Sequence, residues 1–521
     1  MMLWLALAAA SPPNETRFAQ LADPYRPGCA VGVIEGGRLI HARGYGSADL
    51  STGRPITTKT AFNIASMSKQ FTAAAIGLLI ADGRLGEEDD VRRYLPELPD
   101  YGRTIRIRHL LHHTSGLRNH MALASFQPTG PLPTHQEALS LVFRQKVLNF
   151  RPGTRHQYES PNYVLLAEIV ERVAAMPFER FLKERIFLPL GMNDTGFDSP
   201  ALARAYNERP GGSFVLNEAV NRARGSSGLL STVEDFAKWL VALGDGRAIS
   251  RPLLQRMLAG TRLEDGTPVD YSYGLQVERD HGGIPGLTRV GHGGQTAAYR
   301  STFSYFPEHR SGAIMLCNAG NAPLGLAQGI AADWVGARFR PRAAAAAKPR
   351  AVPLPPGEAA RLAGIYHEPE GDELRTFASE GGILKFVHFG EAYPLTHLGG
   401  GRFALEGLGE FRFGEGSMTE TGPALTFTRL AAPEPRPLGD YSGRYASAEV
   451  DGEALFRVEG GKLMMKLPGG EVPLDPISTD AFAAPGAGFG RIAFARDPSG
   501  AVAGLTLSTL SGIARLRFDR R

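Results

Sequence analysis

The C-terminal third of the chain repeats itself. Gly364 and Tyr366 recur as Gly443 and Tyr445, Gly381-Gly382 and Leu384 as Gly460-Gly461 and Leu463, Pro394-Leu395 as Pro473-Leu474, and Phe403 as Phe482, each time 79 residues on. Solenoid units are shorter, roughly 20–50 residues, so this period reads as two duplicated domains of about 80 residues. Alternating apolar residues and frequent turns predict small antiparallel β-barrels. Beyond Phe482 the copies drift apart: Phe427 before Arg429 answers to Phe518 before Arg520, now 91 residues on, so the second copy is the longer one. Within it, Ala483 to Gly490 (AAPGAGFG) reads as a flexible loop. Ahead of the repeat, Pro341 to Pro356 (PRAAAAAKPRAVPLPP) is a linker by composition. The expected domains are therefore residues 12–340, a linker at 341–356, a first barrel at 357–434 and a second at 435–521.

The first 340 residues have a different grammar. Two apolar runs, CAVGVI and LIHARGYG, flank Glu35-Gly36-Gly37 and predict a β-hairpin between Gly28 and Gly46. Ala65 to Ala81 is small and apolar with no internal proline, which predicts a buried helix ending at Asp82-Gly83. Further helices are expected at 163–175, 178–186 and 232–243. Tyr299 to Phe306 and Gly312 to Cys317 read as a second hairpin turning at Pro307 to Ser311. Strands at both ends with helices between predict an α/β domain whose sheet is built from the two ends of the segment.

With 521 residues, 43% apolar and 21% charged, the composition is that of a folded multidomain protein. The formal net charge of +4 is too small and too dispersed to argue for nucleic acid. After the first ten residues no apolar run is long enough to span a membrane. Met1 to Ala10 resembles a trimmed signal peptide without its positive start, so an exported, periplasmic location is favoured over a cytoplasmic one. Cys29 and Cys317 each sit in a strand-like apolar run and read as buried thiols, with one disulfide joining them as the alternative. Their spacing fits no metal site.

Ser66-Met67-Ser68-Lys69 opens the buried helix. Positions i and i+3 share a helix face, so both side chains can meet one cavity. A serine hydroxyl needs a base to become a nucleophile. Lysine serves only if its surroundings disfavour the ammonium, as burial and the positive end of a helix do. The same helix end offers N–H groups to a developing oxyanion. The chain has only nine lysines, which makes a chance Ser-x-x-Lys less common than usual, yet the motif alone is weak.

Its context is not. FNIASMSKQFTAAA (Phe62 to Ala75) resembles the nucleophile helix of the serine β-lactamase and penicillin-binding-protein family, particularly its class C branch. HLLHHTSGL (His109 to Leu117), Arg151 to Thr154 with YESPNYVLL (Tyr158 to Leu166), PLGMNDT (Pro189 to Thr195), GLLSTVEDFAKWL (Gly228 to Leu240) and GHGGQTAAYRS (Gly291 to Ser301) are similar to further family segments, in the family's order. The resemblance implies the family's α/β (α+β) penicillin-recognising fold, an antiparallel sheet covered by helices. It implies Ser66 as nucleophile and Lys69 as its activator. Tyr158, of the Tyr-x-Asn motif, would pass a proton to the leaving group, and His292, of His-x-Gly, would line the cleft. The backbone N–H groups of Ser66 and Gln295, just after Gly294, would form the oxyanion hole. One position departs from the family: Ser160 stands where it has asparagine, a group that touches the substrate's amide, which puts efficient β-lactam hydrolysis in doubt. His112, His113 and His120 cluster near the HTSGL-like segment, but with no acidic ligand at metal spacing no metal is expected.

Barrels appended to such a domain resemble the layout of bacterial D-stereospecific aminopeptidases, in which a loop of the last barrel reaches the active site. The Ala483 to Gly490 loop, with Gly486 and Gly488, is the candidate for that substrate contact. The resemblance implies acyl transfer without metal or organic cofactor on a small peptide, amide or ester, in a homodimer. The competing readings are an esterase, D-Ala-D-Ala carboxypeptidase or weak β-lactamase with the same residues, and a non-catalytic binder of cell-wall peptides or β-lactams.

Overall fold

The computed structural model describes residues 18, 21, 23–127, 132–220, 222–246, 250–327, 329, 351–388, 390–405, 409–421 and 424–521. The Met1 to Ala10 segment and residues 341–350 of the expected linker lie outside them. The chain forms two compact units. One comprises Met1–Leu85, Leu166–Thr261 and Asp270–Ala343; the other comprises Gly86–Leu165, Arg262–Val269 and Ala344–Arg521. No described helix is long and apolar enough to cross a membrane.

The first unit is built on a seven-stranded antiparallel sheet. Its strands are β1 (Cys29–Glu35), β2 (Arg38–Tyr45), β3 (Tyr271–Ser272), β4 (Leu275–Glu278), β5 (Arg289–Thr296), β6 (Tyr299–Phe306) and β7 (Ser311–Cys317), in the order β3-β4-β5-β6-β7-β1-β2. Both expected hairpins are present, and β1 pairs with β7. Helix α1 (Lys69–Ala81) is buried on nearly every side, as a helix apolar all round must be. Its Phe71 lies 4.5 Å from the Trp239 ring of helix α2 (Val233–Asp245). Thr232 caps α2 by accepting from the Asp235 N–H, and α2 packs across β1, β2 and β7. Gly32 of β1 permits this: a Cβ there would stand 2.7 Å from Val233 Cγ2.

The β1–β7 register corrects the reading of two free thiols. Cys29 faces Cys317 across the ladder, and the two form a disulfide joining residues 288 apart in sequence. Each cysteine's local pattern reports burial only; the pairing of the segment's two end strands makes them neighbours.

The second unit joins the helical segment 86–165 to both C-terminal β domains. In the first, β8 (Gly364–Glu368), β9 (Glu373–Glu380), β10 (Ile383–His388), β11 (Glu391–Pro394), β12 (Thr396–Gly399), β13 (Arg402–Leu405), β14 (Gly409–Phe413), β15 (Ser417–Thr421) and β16 (Leu425–Arg429) run in the order β11-β10-β9-β8-β16-β15-β14-β13-β12. Its terminal strands are consecutive in the chain, so the sheet is a nearly closed ring around Tyr366, Phe377, Phe411 and Phe427. The second domain closes fully through β17 (Gly443–Ser447), β18 (Gly452–Glu459), β19 (Lys462–Leu467), β20 (Gly470–Ser478), β21 (Ala481–Ala484), β22 (Phe489–Arg496), β23 (Val502–Thr509) and β24 (Ile513–Arg520).

The repeated residues do the same work in both copies. Tyr366 donates to the Leu362 carbonyl and Tyr445 to the Tyr441 carbonyl, each four residues back at 2.9 Å. Arg429 and Arg520 each donate to carbonyls just ahead of the repeated glycine, at Ala363 and Ser442. At Gly364, with φ +155°, a Cβ would stand 2.7 Å from Arg429 Nε, so glycine is required there. The last barrel's core is shared with the helical segment: Leu123, Phe126 and Leu141 belong to the cluster around Tyr445, Phe456 and Phe518.

Candidate active site

Ser66 sits on a turn held from three sides. Phe62 and Asn63 pair with Ser231 and Leu230, tying the chain before Ser66 to the chain after Ser226. Asn63 Oδ1 accepts from the Ala65 N–H at 2.9 Å, and Ala65 takes φ +48°, a left-handed conformation uncommon without glycine. Ser301 Oγ of β6 donates to the Ile64 carbonyl at 2.9 Å. Gly294 of β5 lies so close that a Cβ there would be 2.2 Å from that same oxygen. The sequence predicts an α-helix from residue 65; the structure instead has a 3-10 turn over Ala65–Ser68, with α1 starting at Lys69. The left-handed Ala65 and the bond from Ser68 Oγ to the Ala65 carbonyl tighten that turn.

Lys69 is completely buried. Its Nζ is 3.2 Å from Ser66 Oγ and donates to the Ser226 carbonyl at 2.8 Å. Three residues on, Thr72 Oγ1 donates to the Gly225 carbonyl at 2.8 Å, so one face of α1 is bolted to the 225–226 segment. Against the other side, Gly274 takes φ +79°, and a Cβ there would be 2.6 Å from the Lys69 carbonyl carbon. These contacts turn the amine toward Ser66. The Ser226 carbonyl thus orients the amine within hydrogen-bond distance of Ser66 Oγ.

His292 is 5% exposed. Its Nδ1 is 2.5 Å from the Gly293 carbonyl and must donate there, so Nε2 accepts from the Tyr271 hydroxyl at 3.1 Å. Burial, with the Lys69 charge adding to it, pushes its pKa down to about 4. It is a neutral, oriented imidazole at neutral pH. Gln295 follows Gly294 on β5, the strand packed against the Ser66 turn.

The remaining predicted residues belong to the second unit. Tyr158 is 38% exposed, with its ring 4.3 Å from that of His113. His113 is fully buried with φ +56° and brackets Tyr158. Its carbonyl accepts from the Gln157 N–H at 2.9 Å, and its Nδ1 from the Glu159 N–H at 3.1 Å. Ser160 opens the helix Pro161–Ala174, its carbonyl accepting from Tyr163 and Val164. Gly486 and Gly488 lie in and just after the 3-10 turn Pro485–Ala487. Gly488 O accepts from the Leu510 N–H at 2.9 Å, so this turn packs on the β23–β24 turn.

The profile of the family described as Beta-lactamase matches residues 15–333. The chain belongs to this family. It is a serine hydrolase. It is 30% identical over 328 residues to "Penicillin-binding protein 4*" of Bacillus subtilis (strain 168), covering 58% of this chain and 71% of that one. It is 28% identical over 510 residues to a "D-aminopeptidase" of Brucella canis, covering 92% of this chain and 93% of the relative. The octameric penicillin-binding protein homologue from Pyrococcus abyssi shares the fold over 88% of this chain and 97% of that one, with TM-score 0.54 and 22% identity.

Within the Beta-lactamase fold, the structure brings together Ser66 and Lys69, and sets the Gly294 strand against them. Sequence reasoning missed Ser226, Tyr271, Gly274 and His113's bracketing of Tyr158. Ser226 acts through its carbonyl, which leaves no mark on residue choice; Tyr271 and Gly274 lie on a short strand and its turn outside every motif.

The buried histidines also set acid stability. His109, whose Nδ1 accepts from the Arg106 N–H, is pushed down to about 3 by burial and His292 to about 4, from an ordinary 6.5. Between about pH 6.5 and 4 the unfolded chain takes up protons that the folded chain refuses, so the stability is present above the unfolded value and lost as pH falls. Each group contributes at most about 1.4 kcal/mol per pH unit. Thermal melts from about pH 7.5 to about pH 5 should show a falling midpoint. His109→Asn should flatten the slope; an unaltered slope would refute this assignment.

Proposed function

We propose that this serine hydrolase is a D-stereospecific aminopeptidase or amidase that releases small N-terminal D-residues by acyl transfer. The observation that carries the reading is likeness to the Brucella D-aminopeptidase over 92% of this chain, through both C-terminal β domains. Ser66 Oγ attacks the carbonyl carbon and its proton passes to Lys69 Nζ. The Ser66 and Gln295 N–H groups receive the oxyanion. As the C–N bond breaks, the amine takes a proton through the Tyr158 hydroxyl, with His292 lining the cleft beside Gly294. Water then attacks the acyl-enzyme along the same relay. Ser160 reaches the substrate's amide through water, and the Gly486–Gly488 turn belongs to the part of the chain that limits substrate size. The Cys29–Cys317 disulfide supports an exported enzyme.

A second reading rests on the 30% identity to Penicillin-binding protein 4*: the same residues acting as a D-Ala-D-Ala carboxypeptidase, esterase or weak β-lactamase. The deciding assay is p-nitroaniline release from D-alanine p-nitroanilide, with the L-isomer and Ser66→Ala as controls. Release from the D-isomer alone, lost in the variant, is expected. No release from the D-isomer, with turnover of p-nitrophenyl acetate or a chromogenic cephalosporin through Ser66, would replace the first reading by the second.

A further inference from the structure

The two neighbours of Tyr158 reach the same tip of the last barrel. That tip is Gly512, in the turn between β23 and β24. Its carbonyl accepts from the Asn119 N–H and from Asn149 Nδ2, both at 3.0 Å. Asn149 is 3% exposed; its Nδ2 also lies 3.2 Å from Gln157 Oε1, and its Oδ1 accepts from the Ala514 N–H at 2.8 Å. On the other side of Tyr158, Glu159 is 4% exposed and its carboxylate leans on Gly512 itself. A Cβ on residue 512 would stand 1.9 Å from Glu159 Oε1 and 3.3 Å from Asn119 Cβ, at φ +91°. Only glycine fits this backbone and this contact.

We propose that the β23–β24 turn is a positioning device for Tyr158, with Gly512 as its central residue. His113 holds the backbone of Gln157 and Glu159; the turn holds their side chains, one through Asn149 and one directly. The hydroxyl of Tyr158 is then held by a barrel more than 350 residues away in sequence. The barrel is thereby part of the catalytic apparatus, in addition to any role in choosing substrates. The proposal rests on the reading of Tyr158 as the proton relay, and the test separates the two.

The full-length chain is compared with Gly512→Ala, Glu159→Ala, the double variant and Tyr158→Phe, using D-alanine p-nitroanilide and p-nitrophenyl acetate. A fluorophosphonate probe reports whether Ser66 still acylates, and thermal melts report folding. A side chain displaced by about 1 Å costs on the order of 10²-fold, so Gly512→Ala should lower kcat by about that much with KM nearly unchanged. Glu159→Ala should cost about tenfold, and the double variant should regain most of the Gly512→Ala loss because the Glu159 carboxylate is gone, keeping only the cost of alanine at φ +91°. In the Tyr158→Phe background Gly512→Ala should cost nothing further. A Gly512→Ala enzyme with wild-type kcat overturns the proposal, as does a loss that survives in the Tyr158→Phe background. If Gly512→Ala unfolds early, Glu159→Ala decides: its loss must vanish in the Tyr158→Phe background. Wild-type turnover by Tyr158→Phe itself overturns the relay reading first, whatever Gly512 does.

Discussion

Lys69→Ala lowers kcat on the order of 10⁴-fold while the protein remains folded. In the proposed mechanism Lys69 Nζ takes the Ser66 proton; it lies 3.2 Å from Ser66 Oγ and is fully buried, so water cannot readily stand in for it. The Ser226 carbonyl loses its donor and the site gains a cavity, which costs stability as well. Lys69→Arg should not rescue activity, because a guanidinium stays protonated and cannot accept the proton. Single-turnover acylation by a fluorophosphonate is the direct measurement. Acylation in Lys69→Ala within about tenfold of wild type would remove Lys69 from the role of base.

Arg118→Ala destabilises the second unit by about 3–5 kcal/mol. The Arg118 side chain is fully buried and that of Glu449 is 7% exposed, with 2.7 Å between Nη1 and Oε2. The guanidinium also donates to Gln145 Oε1 and to the Ala514 and Arg515 carbonyls. Glu449 in turn accepts from the Lys146 N–H. Removing the arginine leaves a buried carboxylate and two barrel carbonyls short of a donor, which costs far more than a surface ion pair. Glu449→Ala should cost a similar amount, and the double variant less than the sum of the two. Urea unfolding followed by far-ultraviolet dichroism measures this. A change under about 1 kcal/mol would show that the network is not a fastening between helical segment and barrel.

These expectations separate what is local from what is not. The buried helix, both hairpins and the duplicated β domains are legible because burial and strand alternation repeat at short range. The Ser66–Lys69 pairing is legible because i and i+3 meet on any helical turn, and a 3-10 turn preserves it. Chemistry carried by a backbone carbonyl, as at Ser226, leaves no trace in the sequence.

By itself the sequence determined the family and the fold class, a β-lactamase-like domain followed by two small β domains that repeat one another, and it pointed to Ser66 and Lys69. Tertiary structure alone decided that Cys29 would meet Cys317, that residues 86–165 would form one compact unit with both β domains, and that Gly512 would lie against Glu159. The physical reason is common to all three. Apolar patterning specifies that a face is buried but not what covers it, and partners distant in sequence are selected only by packing of the whole chain.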